Sequence, residues 1–276
     1  MRALNSFVIA FATYSRLPMP QVEWSDENRR FVMCFFPLIG AVIGLAMGLW
    51  LLVCDALALS GLLRGAVGAL LPLLITGGIH MDGFMDTSDA LASWQTPEKR
   101  LEILKDSHVG AFAVMACAGY MLAMAGLLGE ANVQDAPMLA MGFVVSRALS
   151  AYLMTVLRGA RPNGMLDGFA RTAQKRMVSL SSGAYGILAL GVWAACGGWA
   201  AILCAAAAAL CAAYYRRMAY RFFGGVTGDL AGWFLQVTEL ACTAAVIIGG
   251  KLIRSCISAG RIRGRRSWPG ARIPAR

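Results

Sequence analysis

Charge is scarce in this chain: 14% of its 276 residues are Asp, Glu, Lys or Arg, while 58% are hydrophobic. A soluble domain carries about 25% charged residues, so the composition excludes an ordinary water-solvated globule and implies a polytopic membrane protein. The eight cysteines include no CxxC pair and fall mostly in apolar runs, where they read as small packed hydrophobes. No signal-peptide cleavage pattern follows the apolar stretch Ala3 to Tyr14, which is therefore expected to be retained, either lying in the interface or dipping into the membrane. Acid is absent from Lys251 to Arg276, where eight of the 25 basic residues lie. Outside that tail the two signs nearly balance. The net charge of +10 is local, and nucleic acid is not expected as a partner.

What is present is a series of apolar runs. Phe31 to Cys54 carries no charge and is long enough to span at about 20 residues per crossing. Gly40, Gly44 and Gly48 recur in it every fourth residue, a pattern that lets helices pack closely. Further spans are predicted at about Leu62–Ile79, Val109–Leu128 and Met138–Leu157, with Arg64 snorkelling at the start of the first of these. Met177 to Tyr215 is 39 residues without formal charge, too long for one crossing. It is expected to split at Cys196-Gly197-Gly198 into a hairpin of two fairly short spans. Leu230 to Gly250, interrupted by Glu239, is a last apolar segment.

The positive-inside rule gives an orientation. Residues 1–30 and loops 80–108, 158–176 and 216–229 together hold 15 basic residues, whereas turns 55–61 and 129–137 hold none. The first set is expected in the cytoplasm. A last segment that crossed fully would carry the basic tail outside, so that segment is either re-entrant or spans against the rule. The expected fold is all-α, a multi-pass domain over residues 1–250 with about six or seven transmembrane helices and its active site at the cytoplasmic face. Residues 251–276 read as a basic, disordered tail, a solvated extension more readily than a binder of anionic lipid.

Three constellations carry chemistry. In Gly77-Gly78-Ile79-His80-Met81-Asp82-Gly83-Phe84-Met85-Asp86-Thr87-Ser88-Asp89, helical spacing puts Asp82, Asp86 and Asp89 on one face. Three carboxylates there repel one another unless a cation lies between them, and hard oxygen ligands favour Mg²⁺ or Mn²⁺ beside a phosphate. Acids abutting an apolar span usually face a polar cavity or a partner. His80 is either a general base or an interfacial cap. The same loop continues to Lys105-Asp106-Ser107-His108, where Asp106 is a second candidate for metal or substrate. Arg147, inside an apolar run, is expected to pair with a carboxylate or bind an anionic substrate. Arg158 and Arg161 are either phosphate clamps or ordinary positive-inside anchors. Finally, Gly224-Gly225-Val226-Thr227-Gly228-Asp229 precedes Glu239; its glycines let the backbone approach a ligand, and Thr227 and Asp229 are placed to meet a phosphate or its metal.

Together these blocks resemble the adenosylcobinamide-GDP ribazoletransferase, or cobalamin synthase, family of bacterial and archaeal membranes. The resemblance rests on residues 78–91, on Arg100-Leu101-Glu102-Ile103-Leu104-Lys105-Asp106-Ser107-His108-Val109-Gly110, and on residues 224–229 with Glu239. It covers about residues 1–245. It implies a bacterial inner-membrane enzyme, with catalytic loops in the cytoplasm, that joins α-ribazole or its 5′-phosphate to the phosphate of adenosylcobinamide-GDP and releases GMP, with Mg²⁺ as cofactor. On that resemblance Asp82, Asp86, Asp89 and Asp229 are assigned to metal, and Asp82, His80 and Asp106 to catalysis. Arg147, Thr227 and Lys105 are assigned to substrate. Membrane lipid is the surrounding partner, and an oligomer is compatible with the pattern. Met81, Met85 and His108 depart from the family's more usual residues. Two rivals stand beside this reading. CDP-alcohol phosphotransferases share Mg²⁺-dependent chemistry at a membrane edge, but the Ala-Arg pair of their motif is missing after Asp82-Gly83. A divalent-cation transporter would need carboxylates nearer mid-membrane than these.

Overall fold

The computed structural model describes residues 2–160 and 172–265. Among them the only strand-like pairing is an isolated parallel bridge between Gly159 and Val226, so the chain is all-α. Two short helices open it, α1 (Arg2–Tyr14) and α2 (Asp26–Arg29). They are followed by α3 (Val32–Ala56), α4 (Gly61–Thr76), α5 (Ile79–Ala92), α6 (Pro97–Ile103) and α7 (Ala111–Gly129). The remaining helices are α8 (Ala136–Val156), α9 (Lys175–Gly197), α10 (Trp199–Phe223) and α11 (Gly228–Arg265). Among the described residues, six segments are long and apolar enough to cross a membrane: α3, α7, α8 with the short turn before it, α9, α10, and α11 as far as Leu252. The pair α4–α5 passes the same test only together, bent by 100°.

The bend has a local cause. Gly77 and Gly78 both take left-handed backbone (φ +68° and +81°), which ends α4 and re-aims the chain before α5 begins. Gly77 also makes room for Arg16: a Cβ at this position would lie 2.3 Å from the arginine Nε. The stretch expected as an acidic loop, residues 80–108, thus holds two helices, and its first carboxylates ride on α5.

Two ends of the bundle can be told apart by their contacts. At one, Arg64 pairs with Asp55 at 2.9 Å and donates to the Ala131 carbonyl, while Val133 N–H donates to Asp55. Lys251 pairs with Glu130 at this same end. At the other, Asp89 meets the start of α7, the Gly159 segment meets Val226, and Gln174 N–H donates to the Arg30 carbonyl. Helix α11 therefore runs unbroken from Gly228 to the Glu130 end of the bundle, which fits the spanning expectation rather than the re-entrant one. Helix α11 continues to Arg265, so the first part of the tail expected to be disordered is helical. The rest of the tail lies outside the described residues. Helix α1, at 13 residues, is too short to cross and packs on α3 instead.

Close packing follows the glycine repeat. On α3, a Cβ at Gly40 would be 2.2 Å from the Phe143 carbonyl oxygen and one at Gly44 2.6 Å from Ala140 Cβ, so α3 and α8 touch backbone to backbone. The hairpin break falls as expected, with Gly197 ending α9 and Trp199 beginning α10, but the arms are 23 and 25 residues, and α10 runs on to Phe223.

Candidate active site

The site forms where α5 crosses the first turns of α11. A Cβ on Gly83 would stand 2.7 Å from the Asp229 carbonyl oxygen, and one on Gly232 2.9 Å from that of His80. Two glycines on facing helices thus bring the backbones into contact and set Asp82 and Asp229 on the wall of one cavity. The cavity holds about 280 Å³ and opens between α1, α3, α5, α8 and α11. Tyr14, Met33, Phe36, Met154 and Leu235 give it a mainly apolar lining; His80, Asp82, Ser150, Thr227 and Asp229 supply the polar side chains.

Electrostatics tie the acids together. The carboxyl of Asp86, half-buried on α5, is acted on by the charges of Asp82, Asp229 and Asp89. Like charges so gathered attract a cation. Among the described residues, however, no group of three or more His, Cys, Asp or Glu side chains is placed to hold a metal by itself.

The other expected residues divide sharply. Asp89 turns away from the cavity. Its Oδ2 accepts the Gly110 N–H at 2.7 Å and its Oδ1 the Ala113 N–H at 2.8 Å. Gly110 offers α7 no side chain for capping, so Asp89 closes that helix from a distance. The geometry thus gives Asp89 a capping role, whereas a metal-ligand role for it has no contact here to support it. Asp106 is exposed in the α6–α7 loop, where it accepts from the His108 backbone N–H at 3.0 Å and meets His108 Nδ1 at 2.7 Å. These contacts hold its carboxyl below the usual carboxylate range, the ring contributing most. It is not among the acids whose charge reaches Asp86. Lys105 is exposed beside it.

Arg147 takes the first of its two expected roles. Its guanidinium meets Glu239 at 2.6 Å, with both side chains 1% exposed. Ser146 Oγ donates to the same Glu239 oxygen at 3.2 Å, and Arg147 also donates to the Phe143 carbonyl at 3.0 Å. Its assignment to substrate is therefore replaced by a buried ion pair linking α8 to α11. Thr227 caps α11, its Oγ1 accepting the Leu230 N–H at 3.2 Å, while it also lines the cavity. Arg158 secures the Gly224 turn: its N–H donates to the Tyr220 hydroxyl at 2.9 Å and its guanidinium to the Gly224 carbonyl at 3.2 Å. Arg161 lies outside the described residues.

His80 is 6% exposed, packed between Tyr14 (ring centroids 6.0 Å) and Phe36 (5.7 Å), and its buried Nε2 has no hydrogen-bond partner. Sequence reasoning missed the aromatic wall from α1 and α3. No acid or glycine marks Tyr14 or Phe36, and only the fold carries them to α5.

The chain matches the family model described as cobalamin-5-phosphate synthase over residues 6–247. It is 41% identical to the adenosylcobinamide-GDP ribazoletransferase of Lachnoclostridium phytofermentans, the match covering 92% of this chain and 97% of that protein. Proteins of the same name from Desulfitobacterium hafniense and Brucella ovis are 34% and 31% identical, with 87% and 85% of this chain and 95% and 93% of theirs covered. No solved structure gives a significant match. With the motif blocks of residues 78–91 and 224–229 inside the matched span and facing one another across a single cavity, the chain belongs to the cobalamin-5-phosphate synthase family.

Proposed function

We propose that this transferase joins α-ribazole, or its 5′-phosphate, to adenosylcobinamide-GDP at the α5–α11 crossing, with Mg²⁺ and on the cytoplasmic side of the bacterial inner membrane. The observation that carries the reading is the pair Asp82 and Asp229, from two sequence blocks 147 positions apart, on the wall of one cavity at a membrane-helix end. A ribose hydroxyl attacks the phosphorus attached to cobinamide. The new O–P bond forms as the bond to GMP breaks, GMP leaves with the bonding pair, and the hydroxyl proton passes to a carboxylate. Asp229, at the cavity wall, is the acceptor we assign.

The donor set suits Mg²⁺. Carboxylate oxygens of Asp82 and Asp86 would hold it, leaving Asp229 to take the proton, and it would supply charge neutralisation on the diphosphate and its GMP leaving group. Incomplete closure of the acids is in keeping with this metal, which retains waters and takes substrate phosphate oxygens rather than an all-protein cage. The cytoplasmic assignment rests on the positive-inside rule, applied to the 15 basic residues that the sequence puts in 1–30, 80–108, 158–176 and 216–229.

The test is GMP release by the purified protein in lipid nanodiscs, given adenosylcobinamide-GDP, α-ribazole and Mg²⁺, beside Asp82→Asn. Release should require both substrates and the metal, and fall by about a hundredfold or more in the variant, the scale of losing one electrostatic contact to a developing charge. Undiminished release in Asp82→Asn would remove that carboxylate from the chemistry, and no release from folded wild-type protein would overturn the reading.

A further inference from the structure

Helix α10 ends at the cavity end of the bundle, and one of its faces changes character along its length. Leu210, Ala213, Tyr214, Arg217, Tyr220 and Arg221 recur at intervals of three and four, so they stand on one side of the helix, where they line a shallow groove open to the outside. Leu210 is 69% exposed and Tyr214 53%; Arg217, Arg221 and Arg216 at the groove's edge are exposed as well. From Leu210 to Arg221 the groove climbs about 17 Å, on the order of one membrane leaflet. Apolar side chains come first, a tyrosine next, guanidinium groups last. We infer that this groove seats an anionic phospholipid, its phosphate between Arg217 and Arg221 and an acyl chain along Ala213 and Leu210.

The argument begins with unbalanced charge. Arg217 and Arg221 are like charges at i and i+4, an arrangement that destabilises a helix by itself. Helix α10 contains no acid, and none of Arg216, Arg217 and Arg221 pairs with a described carboxylate. At the opposite end of the bundle, by contrast, Arg64 has Asp55 and Lys251 has Glu130. Arg100 of α6 adds a further charge from the protein side. It is 6% exposed, its guanidinium lies 4.7 Å from the Phe222 ring centroid, and its buried Nε has no hydrogen-bond partner. Arg221 lies 5.2 Å from the same ring. Two guanidinium groups on one ring raise the local positive potential, and a phosphate that takes paired N–H bonds from arginine offsets it. The apolar half of the groove decides for a lipid over a soluble phosphate. The arginines continue into exposed hydrocarbon on a helix long and apolar enough to cross a membrane, and Tyr214 packs beside Trp233 (ring centroids 5.9 Å), the aromatic type found at headgroup level. Any basic residue near a membrane attracts anionic lipid. This groove differs in offering phosphate and chain their partners on one stripe.

The test counts the lipids that the protein retains. Nanodiscs of phosphatidylcholine and phosphatidylglycerol in equal parts are opened in native mass spectrometry, with wild type, Arg217→Gln/Arg221→Gln and Lys175→Gln/Arg176→Gln. The last removes the same charge from exposed residues at the start of α9, at the same end of the bundle but outside the groove. Wild type should retain phosphatidylglycerol over phosphatidylcholine by about tenfold or more, the scale of two charge contacts at the membrane surface. The groove variant should lose most of that preference and the α9 variant should keep it. No preference in wild type would overturn the inference. So would equal loss in the two variants, which would make the attraction a property of overall charge. Displacement of phosphatidylglycerol by inorganic phosphate alone would also overturn it and give the arginines to a soluble anion. If the groove variant fails to fold, a photoreactive phosphatidylglycerol on wild type decides: cross-links concentrated on residues 210–221 support the site, and cross-links spread evenly over the basic segments overturn it.

Discussion

Removing either member of the Arg147–Glu239 pair should cripple the fold, and removing both should largely restore it. Each side chain is 1% exposed, so neither charge is screened by water once its partner is gone. Breaking such a pair costs about 3–5 kcal/mol, which is two to four orders of magnitude in the unfolding constant. The contacts predict an order among variants. Arg147→Met leaves Glu239 with the Ser146 hydroxyl alone and should be worst. Glu239→Leu leaves a buried guanidinium whose remaining acceptors are the Phe143 carbonyl and Ser146 Oγ. Glu239→Gln keeps an oxygen near 2.6 Å from the guanidinium and should be mildest. The double variant Arg147→Met/Glu239→Leu removes both charges and should lie within about 1–2 kcal/mol of wild type, since apolar replacement of a buried pair is often neutral. Unfolding in mixed micelles, followed by the fluorescence of buried Trp193, supplies the four corners of the cycle. Single variants as stable as wild type, or a double variant whose loss is the sum of the singles, would refute the reasoning. Stable single variants with a raised KM for adenosylcobinamide-GDP would return Arg147 to the substrate.

Three further perturbations separate structural from chemical roles. Asp89→Ala should cost about 1–2 kcal/mol by uncapping α7 and should speed amide exchange at Gly110 and Ala113, while leaving the Mg²⁺ concentration for half-maximal turnover unchanged; a large shift in that concentration would make it a metal ligand after all. Gly40→Ala should destabilise by about 1–3 kcal/mol because its Cβ meets the Phe143 carbonyl at 2.2 Å, whereas Gly48→Ala, with 3.6 Å to Ala136 Cβ, should be neutral in thermal inactivation; equal effects would deny the close α3–α8 contact. His108→Ala should let the Asp106 carboxyl titrate nearer its ordinary range, since the ring now favours its charged form. Carbon NMR of Asp106 would read this, wild type keeping its charge to lower pH, and an identical titration in both proteins would refute the contact.

Most spans were legible because the membrane imposes them, but the span expected at Leu62–Ile79 breaks at Gly77-Gly78, and α4 passes as a crossing only together with α5. Uncharged runs had to be helical, and Gly197-Gly198 lay where a 39-residue run had to turn. Helical spacing put Asp82, Asp86 and Asp89 on one element, as α5 has them. What spacing cannot tell is which neighbour each side chain meets. Asp82 and Asp89 differ by two turns, yet one lines a cavity and the other accepts two amides from α7. Arg147 and Glu239 were each conspicuous as a charge in an apolar run, but nothing local to either records that α8 and α11 set them 2.6 Å apart. Tyr14 and Phe36 carried no signal at all, since an aromatic residue in an apolar helix is ordinary.

The broken helix is what lets polar side chains gather between apolar helices. Non-helical backbone within a membrane is tolerated where it is buried in protein or lines a cavity. Gly77 and Gly78 put such a break beside the cavity wall that Ile79, His80 and Asp82 help to form. Because α5 leaves α4 at 100°, it can cross α11 at Gly83 and Gly232 instead of continuing along the bundle. An unbroken helix would keep Asp82 on the axis of α4, with Asp229 on a different element and no crossing to join them. The Arg147–Glu239 pair fastens α11 to α8 from within, and α8 in turn meets α3 through Gly40 and Gly44. The walls that bear Phe36, Met154 and Asp229 are thereby fixed relative to one another, so the carboxylates are held in a frame set by packing rather than by the charges themselves, which alone would drive them apart.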